Sequence, residues 1–132
     1  MTFGQFSNAQ APTIEYEKVR AIIVSDKESN YPDLIAKLNC CENRCKWDNN
    51  KIIDSNNKYS YGGLMFQEHT WLSYGKKYNI LPEWVDESNF EHYIYDRDIQ
   101  TLIAEEMIRD GIGNTYAGWF NCFRIYHLNQ YL

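Results

Sequence analysis

Glu42 closes an apolar stripe and directly follows two cysteines, in the run Cys40-Cys41-Glu42-Asn43-Arg44-Cys45. A carboxyl held against apolar surface keeps its proton to higher pH, so at this place it can act as a general acid; most glutamates at helix ends are only solvated charges. Downstream, Tyr61-Gly62-Gly63-Leu64-Met65-Phe66-Gln67 and Thr70-Trp71 put polar, aromatic and glycine residues together, as the lining of a groove requires. Paired glycines permit either a tight turn or a close approach of backbone to another group. Four cysteines, three of them within six residues, call for disulfides or a metal. The Cys-Cys-x-x-x-Cys run lacks the Cys-x-x-Cys or Cys-x-x-His spacing of zinc sites, which favours disulfides and an oxidising compartment. No metal site and no cofactor are expected. His69, His92 and His127 form no ligand pair and read as structural, with His69 the best placed of the three to reach the groove.

These residues need elements to hold them. Thr13–Ser25 mixes Ile14, Val19, Ile22 and Ile23 with charges and reads as a helix, preceded by residues 1–12 as a loosely docked end. Pro32 sits in the first turn of a second helix, whose Leu34, Ile35, Leu38 and Cys41 line one side and deliver Glu42 at its end. Residues 43–60 read as a polar loop with a brief hairpin at Ile52-Ile53. Phe66–Tyr78 is helix-like, and residues 80–95 read as a loop with one short helical piece. Asp96 caps the clearest helix, 98–110, with Ile99, Leu102, Ile103 and Met107 on its inner face and Glu105, Glu106 and Arg109 on the outer one, until Gly111 stops it. An aromatic tail around Cys122, with Trp119, Phe120, Phe123, Tyr126 and Tyr131, packs back on the core. The fold class is therefore α+β, mainly α, with one short β-hairpin or loop region, in a single domain over 13–132.

The length of 132 residues suits one core. Four Trp, eleven Tyr and six Phe exceed what a core of this size needs and leave rings to bind flat apolar faces. A net charge of −5 disfavours nucleic acid and anionic membranes, which demand clustered Lys and Arg. No run is long enough to span a membrane, and the start lacks a basic and then apolar leader, so an exported protein would have lost its leader or would leave by another route. A monomer is expected.

Cys41-Glu42, then Tyr61-Gly62-Gly63-Leu64-Met65-Phe66, then Thr70-Trp71, an acid-capped helix from Asp96-Arg97-Asp98 and a late Cys122 together resemble the transglycosylase-like domain of resuscitation-promoting factors. The resemblance covers roughly Leu34 to Phe123, and its specificity lies in the order and spacing of the pieces. It implies a lysozyme-like fold that cleaves peptidoglycan glycan strands, with Glu42 as catalytic acid and a Cys41–Cys122 bridge; the extra Cys40 and Cys45 can then pair. It also implies a secreted or cell-wall-associated bacterial protein, or one carried by a phage virion or lysate. Three departures stand out: Met65 replaces a usual Gln, Asn43-Arg44-Cys45 replaces small residues, and no leader is present.

Cleaving a glycosidic bond needs a proton donor and either a second carboxylate or a sugar hydroxyl as nucleophile. Glu42 is the donor. Asp48, Asp54 and Glu68 are the candidates for a second carboxylate, and one acid alone suffices for a lytic, anhydro-forming reaction. Tyr61, Gly63, Gln67 and Thr70 are expected to line the groove with Glu42, and Trp71 or Tyr59 to give a sugar a stacking face. Three classes compete: a muramidase or lytic transglycosylase, a peptidoglycan- or chitin-binding module on the same fold, and an intracellular protein with a zinc-bound cysteine cluster.

Overall fold

A computed structural model describes residues 2–25 and 29–132, with side chains from Ile14 onward. Helix α1 (Thr2–Ser25) is followed by α2 (Pro32–Asn43), strands β1 (Lys51–Ile53), β2 (Tyr59–Tyr61) and β3 (Phe66–Gln67), α3 (Glu68–Lys77), a 3-10 turn at Phe90–His92, α4 (Arg97–Arg109), α5 (Phe120–Tyr126) and a last 3-10 turn at Leu128–Tyr131. The class is α+β and mainly helical. The strands form an antiparallel sheet in the order β1-β2-β3, with Ile52 opposite Ser60 and Tyr61 opposite Phe66.

Two boundaries differ from the sequence reading. The helix expected from Thr13 begins at Thr2, and the loose docking expected of residues 1–12 falls on side chains outside the described residues. The helix expected from Phe66 begins at Glu68, because Phe66 and Gln67 complete the sheet against Tyr61 and Ser60. Met65, at φ 53°, turns the chain into that pairing.

Helix α2 carries Pro32 in its first turn, where a missing N–H costs nothing, and buries Leu34, Ile35 and Leu38. Its buried Asn39 and Asn43 reach forward along the chain. Asn39 Nδ2 donates to the carbonyls of Lys46 at 2.6 Å and Gly63 at 3.0 Å, and Asn43 Nδ2 donates to Asp48 Oδ1 at 2.9 Å. Two helix asparagines thus fix the loop after the helix and the glycine turn together. Arg44 and Cys45 both take left-handed φ as α2 ends, inside the turn that the Cys40–Cys45 disulfide closes.

Asp96 caps α4 by accepting from the N–H groups of Asp98 and Ile99. The same carboxyl accepts from Arg20 Nε at 2.6 Å and from Tyr16 Oη at 3.1 Å, which docks α1 on the start of α4. Glu105 departs from the outer face of α4 expected for it. It is buried and accepts from Ser29 Oγ at 2.6 Å and from Tyr31 N at 3.0 Å, so it fixes the entrance to α2. One hydrophobic cluster joins Tyr16, Leu38, Leu64, Trp71, Ile103, Met107, Phe123 and Leu128. Of the tail aromatics, Trp119 and Phe123 enter that cluster while Tyr126 stays exposed. No helix among the described residues is long and apolar enough to cross a membrane.

Candidate active site

A cleft of about 430 Å³ opens between the end of α2, the β1–β2 hairpin, the first turn of α3 and the segment Tyr116–Cys122. Its size suits a small ligand or a few linked rings. Cys41 and Glu42 form its floor beside Met107. Asp54, Ser55, Asn56, Ser60 and Gln67 make a polar wall; Tyr116, Trp119, Phe120 and Ile125 make an aromatic and apolar one.

Glu42 sits in the last turn of α2. Burial, and after it the negative charge of Asp54, push its carboxyl from the ordinary 4.5 up to about 7. The carbonyl end of the helix acts in the same direction, since it disfavours a negative charge. Among the described residues no N–H or O–H group donates to this carboxyl. Its near polar neighbour is Cys122 Sγ, 3.3 Å from Oε1. That sulfur belongs to the Cys41–Cys122 disulfide and carries no proton, so it has no hydrogen to donate to the carboxyl. Every local influence therefore favours the acid form.

Asp54 lies in the same cleft and is fixed where Glu42 is bare. It accepts from Ser55 N at 2.8 Å and from Ser60 Oγ at 3.1 Å, at the mouth of the hairpin. Asp48 is tied instead to Asn43, and neither Asp48 nor Glu68 lines the cleft. Asp54 is thus the one of the three carboxylate candidates that the fold brings to Glu42.

The remaining expected groove residues divide. Gln67 and Thr70 line the cleft with Glu42. Tyr61, Gly63 and Trp71 do not line it, contrary to the expectation that Tyr61 and Gly63 share the groove with Glu42 and that Trp71 offers it a stacking face. Side chains alternate along a strand, and Ser60 takes the cleft side of β2. Tyr61 consequently points the other way, its ring edge-on to Phe90 and Tyr95 at 5.4 and 5.8 Å. Gly63 meets the Trp47 indole: a Cβ there would lie 2.2 Å from Cε3. Of the two roles paired glycines allow, Gly63 takes close approach, and Gly62, at φ 76°, takes the left-handed turn. Trp71 follows Thr70 by one residue, about 100° round α3, and is fully buried in the core. Tyr59, the other candidate stacking face, is half-exposed outside the cleft under Lys51 Nζ, and His69 is exposed outside it as well.

Both disulfides are formed, Cys41–Cys122 and Cys40–Cys45, so all four cysteines are committed. Among the described residues no group of three or more His, Cys, Asp or Glu is arranged to hold a metal ion.

No family model, curated protein or solved structure matches this chain. The chemistry of the cleft has to be argued from its own geometry.

Three contributors escaped the sequence reading. Asn56 pairs reciprocally with Gln67, Nδ2 to Oε1 at 2.9 Å and Nε2 to Oδ1 at 3.0 Å, so the amide expected to bind substrate is already oriented. Trp119 donates its indole N–H to the Leu64 carbonyl at 2.8 Å and joins the aromatic wall to the glycine turn. Tyr116 stacks on Phe120 at the rim. The sequence does hold a signal for this wall, since a Cys41–Cys122 bridge necessarily brings the neighbours of Cys122 beside Glu42.

Proposed function

We propose that this protein cleaves the glycan strands of bacterial peptidoglycan at the β-1,4 bond between N-acetylmuramic acid and N-acetylglucosamine, with Glu42 as general acid and then base. The observation that carries this is the Glu42 carboxyl itself, raised to about 7 in an open cleft with no donor among the described residues to hold it as a carboxylate. Such a group offers a proton to a leaving glycosidic oxygen near neutral pH and, once ionised, can accept one from the incoming nucleophile. The two walls support a sugar as substrate: a pyranose has apolar C–H faces and a polar rim, which suit an aromatic wall facing an amide and hydroxyl wall. The order of motifs shared with transglycosylase-like domains supports the glycan strand in particular. Asp54, held by Ser55 and Ser60, supplies the negative charge that an oxocarbenium-like transition state needs. The nucleophile is either water, giving a muramidase, or the sugar's own 6-hydroxyl, giving an anhydro-forming lytic transglycosylase. The two disulfides support work outside the cytoplasm, at or near the cell wall.

The test is Glu42→Gln, which keeps shape but cannot donate a proton of useful acidity. Clearing of a cell-wall suspension should fall by about 10²–10⁴-fold, with muropeptide mass spectrometry identifying the product in the parent. A fully active Glu42→Gln rules the assignment out. Asp54→Asn separates the two routes: a comparable loss together with reducing-end products identifies hydrolysis by two carboxylates, and a small loss with anhydro products identifies the one-acid route. Met65, standing where the resembling family has Gln, favours a second reading as a glycan-binding module; binding by the parent with no product from any peptidoglycan would establish it.

A further inference from the structure

The cleft carries an aromatic feature that proton transfer does not use. Tyr116 is 85% exposed, an unusual setting for a large ring, and lies on the rim beside Phe120 with ring centroids 4.3 Å apart and planes 26° from parallel. Ile125, also more than half exposed, continues the same wall. The same cleft is also lined by the Asn56–Gln67 amide pair and by Ser55 and Asp54, which present donors and acceptors. Exposed apolar side chains scattered singly need no explanation, but a stacked pair sharing one cleft with fixed polar groups does.

We infer that Tyr116, backed by Phe120, is a stacking subsite for a pyranose ring of the glycan strand, at a distance from the ring whose bond Glu42 breaks. The inference deepens the glycan-cleaving function proposed for this cleft and rests on it. A β-1,4-linked amino sugar turns its C–H face to one side and its hydroxyl and acetamido groups to the edge. Between these walls it would cover the Tyr116 ring while its edge meets the amides. The stack on Phe120 orients the Tyr116 ring beforehand, so less freedom is lost when the sugar docks. Tyr116 therefore serves chain-length preference: it rewards strands long enough to reach the rim, and leaves short ones to the floor of the cleft.

The experiment measures binding by β-1,4-linked N-acetylglucosamine oligomers of increasing length in the Glu42→Gln background, where nothing is cut, with and without Tyr116→Ala. The expected result is a loss of about three- to tenfold in affinity for the long oligomers and none for the shortest, with Tyr116→Phe binding like the parent because the ring face and not the hydroxyl makes the contact. Saturation of Tyr ring protons should transfer to sugar C–H protons in the Tyr116-containing protein alone. Equal affinity of Tyr116→Ala for every length overturns the subsite, and so does a loss shared equally by Tyr116→Phe. Cleavage is scored separately on the protein with Glu42 restored. A Tyr116-dependent length preference without cleavage keeps the subsite and removes the catalytic reading; cleavage that ignores Tyr116 does the reverse.

Discussion

The turn from Tyr61 to Met65 and the segment from Tyr116 to Cys122 meet through one hydrogen bond, Trp119 Nε1 to the Leu64 carbonyl, and do opposite work. Up to Leu64 the turn faces inward, and Met65 reaches the cleft. Gln100, fully buried on α4, accepts from Leu64 N and donates to the carbonyls of Tyr61 and Ile94, while Gly63 admits the Trp47 indole. The later segment faces outward, with Tyr116 and Phe120 on the rim of the cleft and Cys122 against Glu42. Glycines and aromatics in a short motif can thus be needed to build a site that other residues touch.

The largest expected effect tests what holds the outward wall in place. Replacing both Cys41 and Cys122 by Ala opens a loop with sequence separation 81 and should cost about 4 kcal/mol in the chain-entropy model, against about 2 kcal/mol for Cys40 and Cys45, separated by 5. Urea unfolding of the two double variants gives the difference, and equal losses would mean that the length of the closed loop does not set what the long bridge contributes. Gly63→Ala comes next. Its methyl would overlap the Trp47 ring, so we expect about 3 kcal/mol of destabilisation, whereas Tyr116→Ala should change stability by less than about 0.5 kcal/mol. If thermal unfolding shows Gly63→Ala to be harmless and Tyr116→Ala costly, the inward and outward roles are reversed.

A smaller effect separates two tryptophans. Trp119→Phe strands the Leu64 carbonyl, while Trp71, whose indole N–H finds no acceptor among the described residues, has no such bond to lose. Because Trp71→Phe removes a similar ring volume, Trp119→Phe should cost about 1 kcal/mol more than it in chemical denaturation. An equal or greater cost at Trp71 would assign the joint between the walls to packing alone.

Much of this molecule can be read from its sequence where a single residue has one strong local consequence. Pro32 and Asp96 start their helices, Ile52-Ile53 marks the hairpin, and Glu42 follows from the stripe that precedes it. The resemblance supplies the pairing of Cys41 with Cys122, and the structure contains it. The misses have a common cause. Whether Ser60 or Tyr61 faces the cleft turns on a one-residue alternation that composition does not encode. Asn39, Gln100 and Glu105 are polar yet buried because specific partners from distant segments satisfy them, and those partners exist only after folding. Tyr116 stands at the head of the aromatic tail in the sequence, where nothing local distinguishes a ring that caps a core from one that rims a cleft.

Glu42 is proposed as a proton-donating carboxyl, and its titration can be followed directly by carboxyl-carbon NMR without any substrate. The expected midpoint is near 7, with Glu42→Gln removing that resonance and no other. Because the folded value is raised above the ordinary 4.5, the protonated group's contribution to stability is complete below about 4.5 and is lost as pH rises through about 7. Glu42→Gln should therefore gain on the order of 3 kcal/mol over the parent at alkaline pH and little in acid, and the glycan cleavage proposed for the parent should decline over the same rise. A Glu42 midpoint at its ordinary value, with stability and activity indifferent to pH between 5 and 8, would contradict a proton-donating role for Glu42.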